Sequence, residues 1–342
     1  MRRVTMEDVA AQAGVSRALV SLVMRDSPRV SKASRRVVLD AASRMGYRPN
    51  LMARNLAAHR TMTLGVSLND LHNQWFAEIA DGIHEEADSH GYRIILGNGR
   101  RSASHEDGVL ESFLSFQVDG IIVAGCRLPA KRIEQVGREV PLVSIGRTMR
   151  SDTVSTVSSD DRRGARIAVE HLALLGHRNI VHIDGGRGAG AAPRRAGYIA
   201  AMKEFGLESY TRVLAADFTE PAGAAAVDRL LGASVLPTAL FTANDLLAVG
   251  ALDRLEQDGL TVPGDISIVG YDNTSLAALH HISLTTVNQP RVEMGRVAFT
   301  TLLDRFASAG AGAATTAGGD ATHHVMSPEL IVRRTTRPVS AG

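Results

Sequence analysis

At 342 residues and 36.4 kDa the chain exceeds one ordinary domain and has room for two or three. With 44% hydrophobic and 22% charged residues and a mean hydropathy of −0.01, the composition is that of a globular chain with a core, and no apolar run reaches the ~18–20 residues of a membrane span. The opening MRRVTMEDVAAQ turns acidic and polar at once, unlike a secretory signal, and the single Cys126 excludes both an internal disulfide framework and a thiolate zinc site.

The net charge of +2 is unevenly placed. Residues 1–60 hold twelve Arg or Lys against four acids, net +8, which leaves −6 on the rest of the chain. A small basic head on a larger acidic body is the footprint of a polyanion-binding module. Its helical pattern agrees. Thr5 with Asp8 three residues later reads as a capping box, Met6, Val9, Ala10 and Ala13 share a face, and Gly14 ends the helix. Ser16 caps a second helix, Arg17–Met24, with Leu19, Val20 and Val23 inward. A third runs from Ser31 through Val37, Val38, Ala41 and Met45 to Gly46; after Pro49, Asn50 caps a short segment, Leu51–Ala58. Two short helices joined by a tight Gly-containing turn make a helix-turn-helix, whose second helix enters the major groove. The outward residues there are Arg17, Ala18, Ser21 and Leu22: a guanidinium suits guanine O6 and N7, and Ala and Leu suit a thymine methyl.

Beyond Thr61, apolar β-type runs alternate with helical stretches: Thr63–Leu68, Arg93–Leu96, Gly120–Val123, Leu142–Ile145, Ile180–Ile183, Ala239–Phe241, Ile266–Val269 and Leu284–Val287. Continuous apolar strands separated by helices indicate βαβ units and parallel sheets covered on both faces, and ~280 residues suit two lobes. Crossings are expected at Ser158–Asp161 and Asn288–Arg291, and the low-complexity Ala307–Ala321 is expected to be a mobile loop. Ligands in such sheets sit outside the carboxyl ends of strands. The residues there are Asn69, then Trp75 and Phe76, Asn244-Asp245, and Tyr271-Asp272-Asn273. Carboxylates and amides between aromatic residues suit a polyhydroxyl ligand, with Phe218 placed to pack on a sugar C–H face and Asp245 read as a helix cap.

The motifs Thr5-Met6-Glu7-Asp8-Val9-Ala10, Ala13-Gly14-Val15-Ser16, Val20-Ser21, Arg29-Val30-Ser31 and Gly46-Tyr47-Arg48-Pro49-Asn50 resemble the headpiece of the LacI (lactose-repressor) family. The later residues resemble that family's periplasmic-binding-protein-like core, so the likeness spans nearly the whole chain. Two positions depart: Leu19 stands where the family usually has Thr, and Arg25 where Asn is common, both near the DNA backbone. The resemblance implies a helix-turn-helix headpiece over 1–48 and a hinge helix over 49–60. The remaining 61–342 form an effector-binding and dimerisation core, lobe 1 about 61–160 and 291–321, lobe 2 about 161–290 and 322–342. DNA contacts fall on Thr5, Ser16, Arg17, Ala18, Ser21, Leu22, Arg25, Tyr47, Asn50, Ala53 and Leu56, the last as a minor-groove wedge. Effector contacts fall on Asn69, Trp75, Phe76, Arg194 (with Arg195 as the alternative), Phe218, Asn244, Asp272 and Gln289.

No enzyme constellation is legible. His280-His281 and His323-His324 lack a third ligand at metal spacing, and there is no Gly-x-Ser-x-Gly elbow or phosphate loop. Gly97-Asn98-Gly99 and Gly185–Gly190 are glycine-rich without completing a dinucleotide fingerprint, and no cofactor is implied. The expectation is therefore a cytoplasmic, homodimeric repressor that binds a palindromic operator and is released by a small-molecule effector, a sugar. The alternatives are a corepressor-dependent regulator of the purine type and a sugar-binding transport-type protein. The short, irregular tail Arg333–Gly342 favours a dimer over a tetramer.

Overall fold

The computed structural model describes residues 4–24, 27–47, 60–310 and 321–339. The chain divides into two compact units, Met1–Thr61 and Met62–Gly342.

Among its described residues the first unit holds three helices, α1 (Met6–Ala13), α2 (Arg17–Met24) and α3 (Lys32–Arg44). Thr5 and Asp8 form a reciprocal capping box at the start of α1, and Gly14 in the left-handed region (φ 65°) ends it. Ser16 Oγ accepts from the Leu19 amide and Ser31 Oγ from the Ser34 amide, so α2 and α3 start where a side-chain oxygen meets otherwise unpaired amides. Val9, Val20, Val23, Val38 and Ala41 pack into a small core, while Leu19, expected inward, is only half-buried. Arg25, Asn50, Ala53 and Leu56, and the expected hinge helix, lie outside the described residues.

The second unit runs β1 (Thr63–Leu68), α4 (Gln74–Ser89), β2 (Arg93–Asn98), α5 (Ala103–Ser115), β3 (Gly120–Ala124), α6 (Ala130–Glu139), β4 (Leu142–Ile145) and β5 (Val154–Ser159). It continues through α7 (Asp161–Leu174), β6 (Ile180–Ile183), α8 (Ala191–Glu204), β7 (Arg212–Leu214), α9 (Glu220–Leu231), β8 (Ala239–Thr242), α10 (Asp245–Gln257) and β9 (Ser267–Asp272). It closes with α11 (Ser275–Ala278), β10 (Thr285–Asn288), α12 (Arg291–Gly310), β11 (His323–Met326) and β12 (Glu329–Ile331).

Two six-stranded sheets result, ordered β11-β5-β4-β3-β1-β2 and β12-β10-β9-β8-β6-β7. The first is parallel throughout; in the second only β12, against β10, is antiparallel. Each lobe is thus a doubly wound sheet whose order reverses beside its first strand, β1 or β6. Apolar side chains cover both faces. Ile79 and Ile83 of α4 meet Phe299 and Leu302 of α12 on one side of the first sheet, with Phe113 of α5 and Ile133 of α6 on the other. Val227 of α9 and Leu247 of α10 face one side of the second, with Leu172 of α7 and Tyr198 of α8 opposite. Each such side chain contributes about 1.5–3 kcal/mol by leaving water.

Three expectations need correction. The lobe boundary expected at 321/322 falls after Met326, because β11 pairs with β5 and only β12 belongs to the second sheet. The four strands β5, β7, β11 and β12 escape an apolar pattern: β5 is VSTVSS, buried at every position although four of its six residues carry hydroxyls, and β7 and β12 are three residues each. Residues 307–310, expected in a loop, extend α12 to Gly310.

Candidate ligand cleft and nucleic-acid interface

A cavity opens where the carboxyl ends of both sheets face one another, as the doubly wound order dictates. Its wall carries Asn69 after β1, Gly125 after β3 and Gly146 after β4 from the first lobe, and Ala189 after β6, Asn244 after β8 and Asp272 at the end of β9 from the second. Gly125 and Gly146 have positive φ (68° and 80°), and a Cβ there would lie 2.7 Å from the Phe76 ring and 2.9 Å from the Trp75 ring. Glycine at these strand ends is what lets the two aromatic rings reach the cavity.

The second lobe supplies buried charge. Arg194 on α8 is 5% exposed; its Nε donates to Asp161 Oδ1 at 2.9 Å, its Nη1 to Ala243 O at 2.5 Å, and Asp272 Oδ1 lies 3.7 Å from Nη1. The guanidinium carbon sits 3.8 Å from the Tyr271 ring centroid. Burial opposes this charge, but Asp161 and Asp272 outweigh it and hold Arg194 protonated above its usual range. Burial pushes Asp161 upward against the pull of Arg194, and pushes Asp272 up to about 8, with the like charge of Asp245 adding to the rise. Asp272 and Asn273 both have positive φ (115° and 56°), uncommon for residues other than glycine. Thr286 Oγ1 accepts from the Asn273 amide, and Arg291 and Arg333 donate to Asn273 O and Oδ1, so the strained turn is held from three sides.

The first lobe supplies polar atoms with nothing to bind. Asn69 Oδ1 and Trp75 Nε1 are buried without hydrogen-bond partners, as is Asn244 Nδ2 opposite, and all three residues line the cavity. Asn244 Oδ1 accepts from the Leu247 amide and caps α10, which leaves its NH2 toward the cavity. Across the mouth, Asp217 of the second lobe accepts from Arg101 Nη2 at 2.9 Å and Arg127 Nη2 at 2.8 Å of the first. Ser275 Oγ donates to Gln74 Oε1 in a second bridge between lobes. The enclosed space is about 40 Å³, room for about three waters.

Seven of the eight expected effector residues, Asn69, Trp75, Phe76, Arg194, Phe218, Asn244 and Asp272, meet on this wall. Gln289 does not: it stands behind, its Nε2 donating to Asp272 Oδ1 at 2.6 Å. Asp245 is not the cap of α10, since Asn244 fills that place; its buried carboxylate accepts from the Thr274 amide and hydroxyl and the Thr286 hydroxyl. Burial pushes Asp245 up to about 6. Arg195 donates to Asp184 and is outside the wall. Sequence reasoning missed Asp70, Asn73, Arg101 and Arg127, although each follows a strand end, the signal that found Asn69. It also missed Glu106, whose buried Oε2 accepts from the Arg127 and Leu128 amides and so fixes the loop that carries Arg127.

On the headpiece, Arg17, Ala18 and Leu22 are exposed along α2 and Ser21 is half-buried. Arg17 Nε lies 3.2 Å from Glu7 Oε1, with both side chains largely in solvent. Such a pair is worth at most about 1 kcal/mol, less than the ~1–3 kcal/mol of a bidentate guanine contact, so a base can displace Glu7. Thr5 and Ser16 are engaged as caps, and Tyr47 packs half-buried against the headpiece core. Among the described residues no helix is long and apolar enough to cross a membrane, and no His, Cys, Asp or Glu cluster could hold a metal.

Residues 5–50 match the bacterial regulatory proteins of the lacI family, and residues 169–336 a periplasmic binding protein-like domain. The chain is 36% identical to catabolite control protein A of Priestia megaterium over 87% of its own length and 91% of that protein's. It is 34% identical to the HTH-type transcriptional repressor CytR of Escherichia coli K12 over 97% and 96%. Among solved structures it is similar to the lac repressor dimer bound to operator and the anti-inducer ONPF, with a TM-score of 0.83, 28% identity, and coverage of 98% of this chain and 100% of that one. The exposed second helix of a basic trihelix, the paired lobes and these likenesses agree: the chain belongs to the lacI family of bacterial regulatory proteins, DNA-binding transcriptional regulators and not enzymes.

Proposed function

We propose that the chain is a cytoplasmic, homodimeric repressor whose hold on an operator is set by a neutral, polyhydroxylated small molecule, a sugar, bound between the lobes. One observation carries the ligand class. The cations on the wall are already matched by the protein's own carboxylates, Arg101 and Arg127 by Asp217 and Arg194 by Asp161, while Asn69 Oδ1, Trp75 Nε1 and Asn244 Nδ2 have no partner. An unpaired acceptor beside unpaired donors asks for hydroxyl groups, which serve as both, and no charge remains for an anionic ligand to satisfy. Phe76 and Phe218 offer apolar faces to the ring.

In this reading α2 lies in the major groove with Arg17 on a guanine, and two copies meet two half-sites of a near-palindrome. Ligand binding changes the angle between the lobes and with it the fit to DNA; the coupling is reciprocal, so operator DNA changes ligand affinity by the same factor.

The test is fluorescence anisotropy of the full chain on its own upstream DNA, alone and with mono- and disaccharides and purines. Release by a saccharide is expected. Tightening by a purine would overturn the sugar reading in favour of a corepressor, and failure to select any DNA sequence would overturn operator binding. Arg17→Ala should cost roughly 1–3 kcal/mol at one base position of each half-site; a uniform loss across sequences would make it a phosphate contact.

A further inference from the structure

Arg291 stands where the chain crosses from β10 of the second lobe to α12, which packs on the first, and it is buried. Its guanidinium bonds to both lobes. Toward the first, Nε donates to Glu78 Oε2 of α4 at 2.8 Å, and Nη2 lies 2.8 Å from the same oxygen. Toward the second, Nη2 donates to Asn273 O at 2.7 Å and Nη1 to Gln289 O at 3.0 Å. The Gln289 side chain in turn donates to Asp272, so Arg291 supports the Asp272–Asn273 turn both directly and through Gln289.

The two ends of this tie differ in stiffness. On the first lobe, α4 and α12 cross with their backbones in contact: a Cβ at Gly82 would lie 2.0 Å from Val292 O, and one at Gly295 2.2 Å from Ile79 O. Glu78 and Arg291 each sit one helical turn before one of these glycines, so both are carried rigidly with the first lobe. On the second lobe the tie ends on backbone held at positive φ, which persists only where its neighbours over-determine it. The same stretch meets α4 once more, where Ser275 donates to Gln74, one turn before Glu78. Trp75 and Phe76, between those two contacts on α4, line the cavity.

We propose that Arg291 is a positioning residue for the effector response: held on the first lobe by Glu78, it keeps the Asp272–Asn273 turn of the second lobe in place and so makes the position of Asp272 depend on the angle between the lobes. Parting the lobes at this crossing draws Asn273 O away from Nη2, and the turn loses one of the bonds that keep it strained. The effector half of this inference rests on the ligand site proposed above, whereas the tie between the lobes does not.

Acrylamide quenching of Trp75, the single tryptophan and 6% exposed on the cavity wall, reads the parting of the lobes in the full chain without ligand or DNA. Arg291→Met, which cuts the tie, should raise the quenching constant at least about threefold by enlarging the open population. Glu78→Gln, at a half-buried position, should raise it in the same direction while keeping the wild-type melting curve. The double variant should quench no more than Arg291→Met alone, because the two residues act as one unit. Arg296→Ala breaks the Arg296–Glu85 pair between the same two helices, outside the tie to the second lobe, and should leave quenching unchanged. The proposal is overturned if Glu78→Gln quenches as the wild type does, which can be read even where Arg291→Met fails to fold. It is equally overturned if the two effects add in the double variant, or if Arg296→Ala matches Glu78→Gln, since any loosening of α4 on α12 would then expose Trp75. Each of these results leaves the repressor reading intact, and a cleft that binds no saccharide leaves the tie intact.

Discussion

The first lobe meets the cleft with Asn69, Trp75 and Phe76, and there Asn69 Oδ1 and Trp75 Nε1 find nothing inside the protein to bind. The second meets it with Arg194 and Asp272, a network closed through Asp161 before any ligand arrives, and with a single open donor, Asn244 Nδ2. Both lobes have the same strand order, and both hold strained backbone just beyond a strand, at Arg100-Arg101 (φ 50° and 55°) in one and Asp272-Asn273 in the other. The fold therefore fixes where a residue sits but not what it does there. Groups whose bonds are satisfied internally support the protein as well as the site, whereas groups left unsatisfied have only the ligand to answer to. Substitutions should separate these two kinds of wall.

The largest effect is expected at Arg194. Arg194→Met leaves the buried Asp161 and Asp272 without their counter-charge, and breaking a buried pair costs roughly 3–5 kcal/mol. Denaturant unfolding of the core should show it, and adding Asp161→Asn should recover part of the loss. A cost below about 1 kcal/mol would mean that water reaches these charges and that the two walls are alike.

Next is the dependence on pH. Asp272 and Asp245 are raised by burial to about 8 and about 6 from an ordinary 3.8. A carboxyl that holds its proton more tightly when folded contributes stability below the unfolded value and loses it as pH rises through the folded one. Burial holds His171, His177 and His182 below their usual range, and their opposing contribution is complete by about pH 6.5. Between pH 6.5 and 8 the melting temperature should therefore fall by a few degrees, and Asp272→Asn should flatten that fall. A profile that rises over this range would show that the attraction of Arg194 prevails over burial.

How much of this was legible follows from how local each signal is. Thr5 with Asp8, Ser16 and Gly14 act within four residues of themselves, so the headpiece helices could be read residue by residue. Apolar runs such as Thr63–Leu68 and Gly120–Ala124 announce central strands because both faces are covered. β5 does not: its serines and threonines are buried because Arg305 and Thr322 reach Ser155, and His323 reaches Thr156, from a segment about 150–170 residues away. Nor could the bridge across the mouth be read, since Asp217 meets Arg101 and Arg127 over separations of 116 and 90 residues. The strand-end rule located Asn69, Trp75, Phe76, Asn244 and Asp272, while Arg194 came only with the family resemblance; the rule misjudged Asp245, whose place beside a strand looks the same in sequence whether the carboxylate caps a helix or accepts three bonds from Thr274 and Thr286.

The unsatisfied wall predicts a smaller and opposite pattern. Asn69→Ala removes a buried acceptor that nothing in the protein uses, so the empty chain should keep its stability while saccharide affinity falls about five- to tenfold. Trp75, the single tryptophan, lies in the cleft and supplies the signal: its emission, titrated with the releasing saccharide, measures the affinity directly. An unchanged affinity would remove Asn69 from the contact surface.

The smallest effect on stability belongs to Asp217, where the two walls touch. The carboxylate and Arg101 are each about a third exposed, so Asp217→Asn should cost under about 1 kcal/mol. Its consequence is kinetic. A cleft of about 40 Å³ must open before a sugar enters, and opening separates Asp217 from both arginines. Stopped-flow association followed through Trp75 should be several-fold faster in the variant. In the wild type, salt raised from 0.05 to 0.5 M should speed entry by screening the pair, and in Asp217→Asn it should not. If both proteins show the same rates and the same salt response, opening is limited by the packing between the lobes, and the charges at the mouth follow that motion without holding it.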